Sequence, residues 1–308
     1  MTSPAPLLVI TGPTASGKTR LAVAAARALN AEIIGADSRQ VYRGMDLGTG
    51  KDLEEYGDVP YHLVDIVPAG YRYNLYEYLR DYDRAEALVR SHGRMPLLCG
   101  GTGLYVESVL RGLHLPEVPA DPALRASLAG RTLAELTEIL ASMKTLHNTT
   151  DVDTTQRAVR AIEIETYYAA HPDAAALAQP SPRTDAVVVG VDIGRDERRR
   201  RISERLHRRF AAGMTAEVER LLAEGVHAES LIYYGLEYKY VTLYVLGRLT
   251  RNEMERSLET AIHQFAKRQM TWFRGMERRG WHITWLPFDM ELASFVSEIQ
   301  KLIENAQS

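Results

Sequence analysis

The sequence predicts an α/β protein: a parallel sheet flanked by helices, with an all-helical insertion and a helical C-terminal region. Three observations carry that expectation. Apolar runs at Leu7 to Ile10, Ala31 to Ala36, Tyr61 to Val67 and Met95 to Cys99 alternate with helix-like stretches, the pattern of strand–helix–strand units. A stretch punctuated by prolines and free of strand patterns runs from Pro116 to Pro182. After a fifth apolar run, Asp185 to Ile193, the chain turns to long amphipathic patterns rich in arginine.

The first run opens into LLVITGPTASGKT. Gly12, the four residues Pro13, Thr14, Ala15 and Ser16, then Gly17, Lys18 and Thr19 match G-x-x-x-x-G-K-[ST] after a strand and before a helix. Glycines let a backbone wrap a phosphate without Cβ clashes. Loop N–H groups and the helix N-terminus supply partial positive charge. Lys18 adds a full charge, and the Thr19 hydroxyl is placed to hold Mg²⁺. The helix runs from Lys18 through Ala28, rich in the helix formers Ala and Leu. Such a site grips a polyphosphate or a pyrophosphate, and the loop alone does not say which.

The second run ends at Asp37-Ser38-Arg39-Gln40. Ligands of open α/β sheets sit past the carboxyl ends of strands, which makes Asp37 a candidate for chemistry at the phosphate end. Capping of a turn or helix is an equal alternative for it. A glycine-punctuated loop, Val41 to Lys51, leads to the third run. His62 reads as a packed or hydrogen-bonded histidine, since no second His or Cys lies at metal-ligand spacing. Asn74 to Ser91 has helical periodicity, with Leu75, Tyr78, Leu79, Tyr82 and Leu88 near one face. The fourth run ends in Gly100-Gly101-Thr102-Gly103, which either brings backbone N–H groups to the same ligand or makes a tight turn. Cys99 reads as a small buried apolar residue.

Helical patterns at Ala123 to Leu128, Leu133 to Met143 and Thr154 to Tyr168 fill the insertion. Residues 116–182 are therefore expected to form a helical unit set into a core of 1–115 and 183–308. Arg157 and Arg160 fall on one helical face, for which a solvated surface is the default. In the last third, Ile202, Leu206, Phe210 and Met214 form an apolar stripe amid Arg198, Arg199, Arg200, Arg201, Arg205, Arg208 and Arg209. A second long amphipathic stretch, from Met254 to Phe273, is followed or interleaved by Lys267, Arg268, Arg274, Arg278 and Arg279. Two basic faces in a chain of net charge −3 point to a local electropositive zone for nucleic acid or another polyphosphate. One cysteine excludes an intramolecular disulfide and fits a reducing compartment. No apolar run suits a signal or a membrane span, so a cytoplasmic protein that contacts no membrane is expected, as a monomer.

The motifs GPTASGKT, ADSRQVYRGMDLGTGK, YHLVDI, GGTGLY, QRAVRAIEI and AKRQMTWFR stand in an order and spacing that resemble the tRNA dimethylallyltransferases, also called tRNA isopentenyltransferases. The resemblance runs from Gly12 to Arg274. It implies a P-loop kinase-like fold and transfer of a dimethylallyl group from dimethylallyl diphosphate, with Mg²⁺, to the exocyclic amine of the adenosine 3′ of the anticodon. It also implies site residues. Gly12 to Thr19 would hold the diphosphate, Lys18 on its oxygens and Thr19 at Mg²⁺. Asp37 would be the general base and Thr102 would lie near the reacting nucleotide. Arg201 or Arg205, in a stretch resembling the family's RIxxR, would reach the diphosphate. Ser38, Arg39, Gln40, Gln156, Arg157, Arg160, Lys239, Lys267, Arg268, Gln269, Trp272 and Arg274 would contact the anticodon stem-loop of the tRNA. One segment departs from the family. YYGLEYKY (Tyr233 to Tyr240) stands where a shorter glycine-tyrosine-lysine-glutamate pattern is usual; Tyr238 and Lys239 match, and Tyr240 replaces the acid.

Two enzymes and a binder compete with this reading. A small-molecule kinase would place ATP in the loop but leave the basic C-terminal helices without a role. An adenylate isopentenyltransferase would use free nucleotide, which the same basic third argues against. A pure RNA-binding protein has little use for a complete Lys-Thr phosphate loop with a strand-end Asp.

Overall fold

The computed structural model describes residues 5–146 and 150–307. In chain order the elements are β1 (Leu7–Thr11), α1 (Lys18–Leu29), β2 (Ala31–Gly35), β3 (Tyr42–Arg43), β4 (Tyr61–His62), β5 (Val67–Pro68), α2 (Leu75–Ser91), β6 (Met95–Gly100) and α3 (Gly103–Leu110). Then come α4 (Pro122–Leu128), α5 (Leu133–Met143), α6 (Thr155–Ala170) and α7 (Pro172–Leu177). The chain ends with β7 (Ala186–Asp192), α8 (Arg195–Ala211), α9 (Met214–Ala223), α10 (Ala228–Tyr234), α11 (Leu236–Val245), α12 (Arg251–Arg278), β8 (Thr284–Pro287) and α13 (Leu292–Gln307). It divides into two compact units, Met1–Arg111 with Pro182–Ser308, and Gly112–Ser181.

The first unit is built on a six-stranded sheet in the order β4-β2-β6-β1-β7-β8, every pairing parallel. Its central strands are apolar throughout, as expected of a sheet covered on both faces. Leu8 and Ile10 of β1, Ile33 of β2, Leu97 of β6 and Val189 of β7 pack with Leu21 and Ala25 of α1 and with Phe295 and Ile299 of α13. Because the pairing is parallel, the carboxyl ends of β1, β2, β6 and β7 share one edge. The loops that follow β1, β2 and β6 meet there. Helix α2 starts at a capping box, Asn74 accepting from the Glu77 N–H (3.1 Å) and donating its own N–H to the Glu77 carboxylate (3.2 Å).

The third apolar run is not one strand. Tyr61 and His62 pair with β2 at the sheet edge, whereas Val67 and Pro68 pair with β3 in a separate ribbon. Between them Leu63 and Asp65 take left-handed conformations (φ 60° and 57°). This turn delivers Asp65 to the fully buried Lys51, whose ammonium also donates to the Tyr42 carbonyl (2.5 Å) and to Asp46 (2.7 Å). A buried ammonium requires such partners, and alternating hydrophobicity does not report that need. The C-terminal region is likewise not purely helical, since β8 adds a sixth strand beside β7. His62 is hydrogen-bonded, its Nε2 2.6 Å from the buried Glu32 carboxylate.

The second unit is helical and has its own core of Leu128, Leu136, Leu140, Ala158 and Ile162. At its centre the Glu163 carboxylate accepts from Arg125 (2.9 Å), from the Asp121 N–H (2.6 Å) and from Arg160. Burial opposes ionisation of Glu163, but the hydrogen bonds outweigh it and hold its pKa at about 2. No helix among the described residues is long and apolar enough to cross a membrane.

Candidate active site

Between β1 and α1 the chain wraps a cradle. Gly17 caps α1 in the left-handed region (φ 81°), where a side chain would be strained, and Ala15 is also left-handed (φ 63°). A non-glycine residue held there costs about 1–3 kcal/mol and marks a conformation imposed by its surroundings. The Ser16 hydroxyl is buried and has no hydrogen-bond partner among the described residues. Around the loop stand cations. Arg205 donates to the Thr14 hydroxyl, and an Arg201 nitrogen lies 3.5 Å from where a Cβ on Gly17 would sit. Burial lowers the pKa of Lys18 against the opposing pull of Cys99 and Asp37. Burial, with Arg209 alongside, pushes Arg205 down to about 9. Buried cations crowded this way form a site that an anion would relieve.

The loop after β6 closes the cradle from the side. A Cβ on Gly101 would lie 2.6 Å from the Gln269 amide nitrogen and 3.2 Å from the Gly12 carbonyl, so only glycine allows this approach. Gln269 of α12 ties the two loops together: it accepts from the Thr14 N–H (2.8 Å) and donates to the Gly101 carbonyl (2.8 Å). Thr102 accepts from the Ser38 N–H at 3.0 Å and so joins the β6 loop to the β2 loop. Asp37 begins that loop and has Lys18, Arg205 and Glu237 as charged neighbours. Its Oδ1 accepts from the Arg39 N–H (2.9 Å), the local turn bond typical of aspartate.

Lys18, Thr19, Asp37, Thr102, Arg201 and Arg205 thus gather at the sheet edge with the loop Gly12 to Gly17. The residues expected at the tRNA have varied placements. Gln269, expected at the tRNA, is buried, and its amide is engaged with the backbone of the loops after β1 and β6. Trp272 lies against Gly103 and is 39% exposed. Lys267, Arg268 and Arg274 are exposed on α12, and Lys239 is exposed on α11 beside the Tyr240 ring. Gln40 donates to the Gly50 carbonyl (2.9 Å). In the second unit Gln156 and Arg157 are exposed, Arg157 paired with Asp153. Arg160, by contrast, is engaged internally with Glu163 and the Val118 carbonyl (2.8 Å).

Three further charged groups belong to this edge: Arg209, which the sequence places in the arginine-rich face without a role of its own, and Glu237 and Glu217, to which it assigns none. Arg209 is buried against Gly50, with one guanidinium nitrogen that lacks a hydrogen-bond partner among the described residues and has only the Asp52 carboxylate at 4.0 Å for a counter-charge. Its spacing from Arg201 and Arg205, four residues each time, places all three on one stripe of α8, a signal legible in the sequence. Glu237, in the segment that departs from the family pattern, is raised in pKa by burial despite Arg209 at 4.0 Å. Glu217 of α9 accepts from the N–H groups of Asp46 (2.9 Å), Leu47 (2.9 Å) and Gly48 (3.1 Å), and from the Tyr238 hydroxyl (2.5 Å). No sequence pattern announces that bond set.

The described residues contain no group of three acidic, histidine or cysteine side chains able to hold a metal unaided. Thr19, at the start of α1 beside Lys18, is a hard oxygen donor of the kind that shares Mg²⁺ with phosphate oxygens and water. The donor set fits a diphosphate-bound magnesium ion.

Comparison with known proteins agrees with this geometry. The family model described as IPP transferase matches residues 40–276, and the one described as isopentenyl transferase matches residues 5–56. The chain is 56% identical over 303 residues to tRNA dimethylallyltransferase 2 of Bacteroides fragilis, covering 97% of this chain and 98% of that protein. It is 56% identical over 284 residues to tRNA dimethylallyltransferase 1 of Porphyromonas gingivalis, covering 91% and 93%. Among solved structures, the full-length tRNA isopentenylpyrophosphate transferase of Bacillus halodurans superposes with a TM-score of 0.72 at 30% identity, over 98% of this chain and 96% of that one. A eukaryotic dimethylallyltransferase acting on tRNA gives 0.79 at 19% identity, over 96% and 77%, a likeness of fold. With the P-loop kinase-like sheet, the cationic cradle and matches of this extent, the chain belongs to the IPP transferase family.

Proposed function

We propose that the protein transfers a dimethylallyl group from dimethylallyl diphosphate to the exocyclic amine of the adenosine 3′ of a tRNA anticodon, releasing diphosphate. The supporting observation is the juxtaposition of a buried cationic cradle with the carboxylate of Asp37 on one sheet edge, in a chain whose relatives are named tRNA dimethylallyltransferases.

An adenine amine is a weak nucleophile, because its lone pair is delocalised into the ring. The reaction forms a bond from that nitrogen to the allylic carbon and breaks the carbon–oxygen bond to diphosphate; the amine's proton goes to Asp37. Lys18, Arg201, Arg205 and the loop N–H groups hold the diphosphate and stabilise the charge that grows on it as it departs. Mg²⁺, held by Thr19 and the diphosphate, would supply further charge neutralisation at the leaving group. Oδ2 of Asp37 is the oxygen left for the proton, since Oδ1 serves the Arg39 turn. Thr102 and Ser38 fix the β2 loop so that the carboxylate keeps its place. The exposed cations of α12 are suited to RNA phosphates.

The test is mass spectrometry of tRNA nucleosides from cells with and without this protein. Dimethylallyl adenosine present in the first and absent from the second is the expected result; equal amounts in both would overturn the reading.

A further inference from the structure

We propose that Tyr233, flanked by Arg39 and Arg72, forms a second nucleotide subsite that receives an unstacked base next to the reacting adenosine; this rests on the reading of the protein as a tRNA-modifying enzyme. Tyr233 lies in the segment where the sequence departs from the family pattern. Tyr233 is 55% exposed, high for an aromatic residue on a well-anchored helix. The anchoring is evident next door. Tyr234 is buried, its ring centre 4.2 Å from that of Tyr42, and its hydroxyl donates to the Tyr71 carbonyl (2.7 Å). Tyr233 stands at a steep angle to Tyr234 (66°) with centres 6.1 Å apart, so the buried ring fixes the exposed one.

Two guanidinium groups share this ring, Arg72 at 5.3 Å and Arg39 at 5.9 Å from its centre. Neither is in an ion pair with a carboxylate among the described residues. Like charges around one aromatic ring, neither of them ion-paired, match a ligand that is both planar and anionic. A nucleotide is such a ligand: its base stacks on the ring and its phosphate meets the guanidiniums. Position selects RNA over other anions. The Arg39 N–H is held by Asp37, so the ring lies one side chain beyond the proposed general base, on the way from it to the exposed Arg72. An adenosine drawn out of the anticodon loop to reach Asp37 leaves its neighbour unstacked, and Tyr233 offers that neighbour a new face.

The experiment uses the full-length protein and an anticodon stem-loop RNA carrying thiouridine immediately 5′ or 3′ of the target adenosine. Photocrosslinking of one of these positions to Tyr233, located by peptide mass spectrometry, is expected. Tyr233→Ala should raise KM for the unsubstituted RNA about 5- to 150-fold, the range for losing one stacked base, while kcat and the KM for dimethylallyl diphosphate stay unchanged. Tyr233→Phe should restore the wild-type KM, because the ring rather than the hydroxyl carries the contact. Arg72→Gln should raise KM for RNA and lower its salt dependence by about one counterion. Crosslinks confined to other residues, or an unchanged KM for both Tyr233→Ala and Arg72→Gln while the unaltered enzyme prenylates the RNA, would overturn the subsite alone. Failure of the unaltered enzyme to prenylate any tRNA would overturn the function on which it rests.

Discussion

In the proposed reaction Asp37 serves two purposes that sequence reading treats as rivals. Its Oδ1 closes the local turn through the Arg39 N–H, and its other oxygen remains for chemistry beside Lys18 and Arg205. Asparagine at this position keeps the turn acceptor and removes the base. Asp37→Asn should therefore lower turnover by about 10²–10⁴-fold, the usual worth of a general base. Affinity for dimethylallyl diphosphate should be preserved within a few-fold, read by titration calorimetry. Near-normal turnover in that variant would reassign Asp37 to structure. Gln269 is the converse case. The motif that contains it was legible, but its position on the buried side of α12 was not, because it depends on which face of that helix meets the loops after β1 and β6.

At the scale of elements, strands whose burial is hydrophobic were readable, and those fixed by polar bonds were not. β1, β2, β6 and β7 are continuous apolar runs and fall where the pattern places them. The stretch from Tyr61 to Val67 looked equally apolar but is broken by the demand of buried Lys51 for Asp65. β8 is four residues long and borders a single partner strand, too short to register a period. The loop from Gly44 to Lys51 is similarly set from a distance, by Glu217 of α9 accepting three successive backbone N–H groups. Glu217→Ala should release it. Amide exchange at residues 46–48 should accelerate, and the unfolding free energy in urea should fall by about 3 kcal/mol, the upper range for hydrogen bonds to a charged group. Unchanged exchange at those three amides would show that the loop holds itself.

For the whole molecule, acid lability follows from carboxylates that are held ionised in the folded state. Burial of Glu86 opposes its ionisation, but hydrogen bonds from Arg183 and Arg90 bring its pKa from the ordinary 4.5 to about 2. A depressed folded pKa stabilises the protein above the unfolded value and ceases to do so as pH falls through the folded one. The contribution is roughly 3 kcal/mol, present at neutral pH and lost between about pH 5 and pH 2. Glu86→Gln should have a shallower fall in urea stability over that window, and lower stability at pH 7, where Arg183 loses one of its two carboxylate partners and keeps Asp185. A slope identical to wild type would mean other groups govern acid unfolding.

The proposed reaction requires the cradle to serve a departing diphosphate. The most direct measurement incubates the purified protein with Mg²⁺, tRNA and dimethylallyl diphosphate, and counts released diphosphate against dimethylallyl adenosine in the digested RNA, with ATP supplied in a parallel reaction. Equal amounts of the two products, and no transfer from ATP, are expected. Phosphoryl transfer from ATP with no prenylated adenosine would contradict the account.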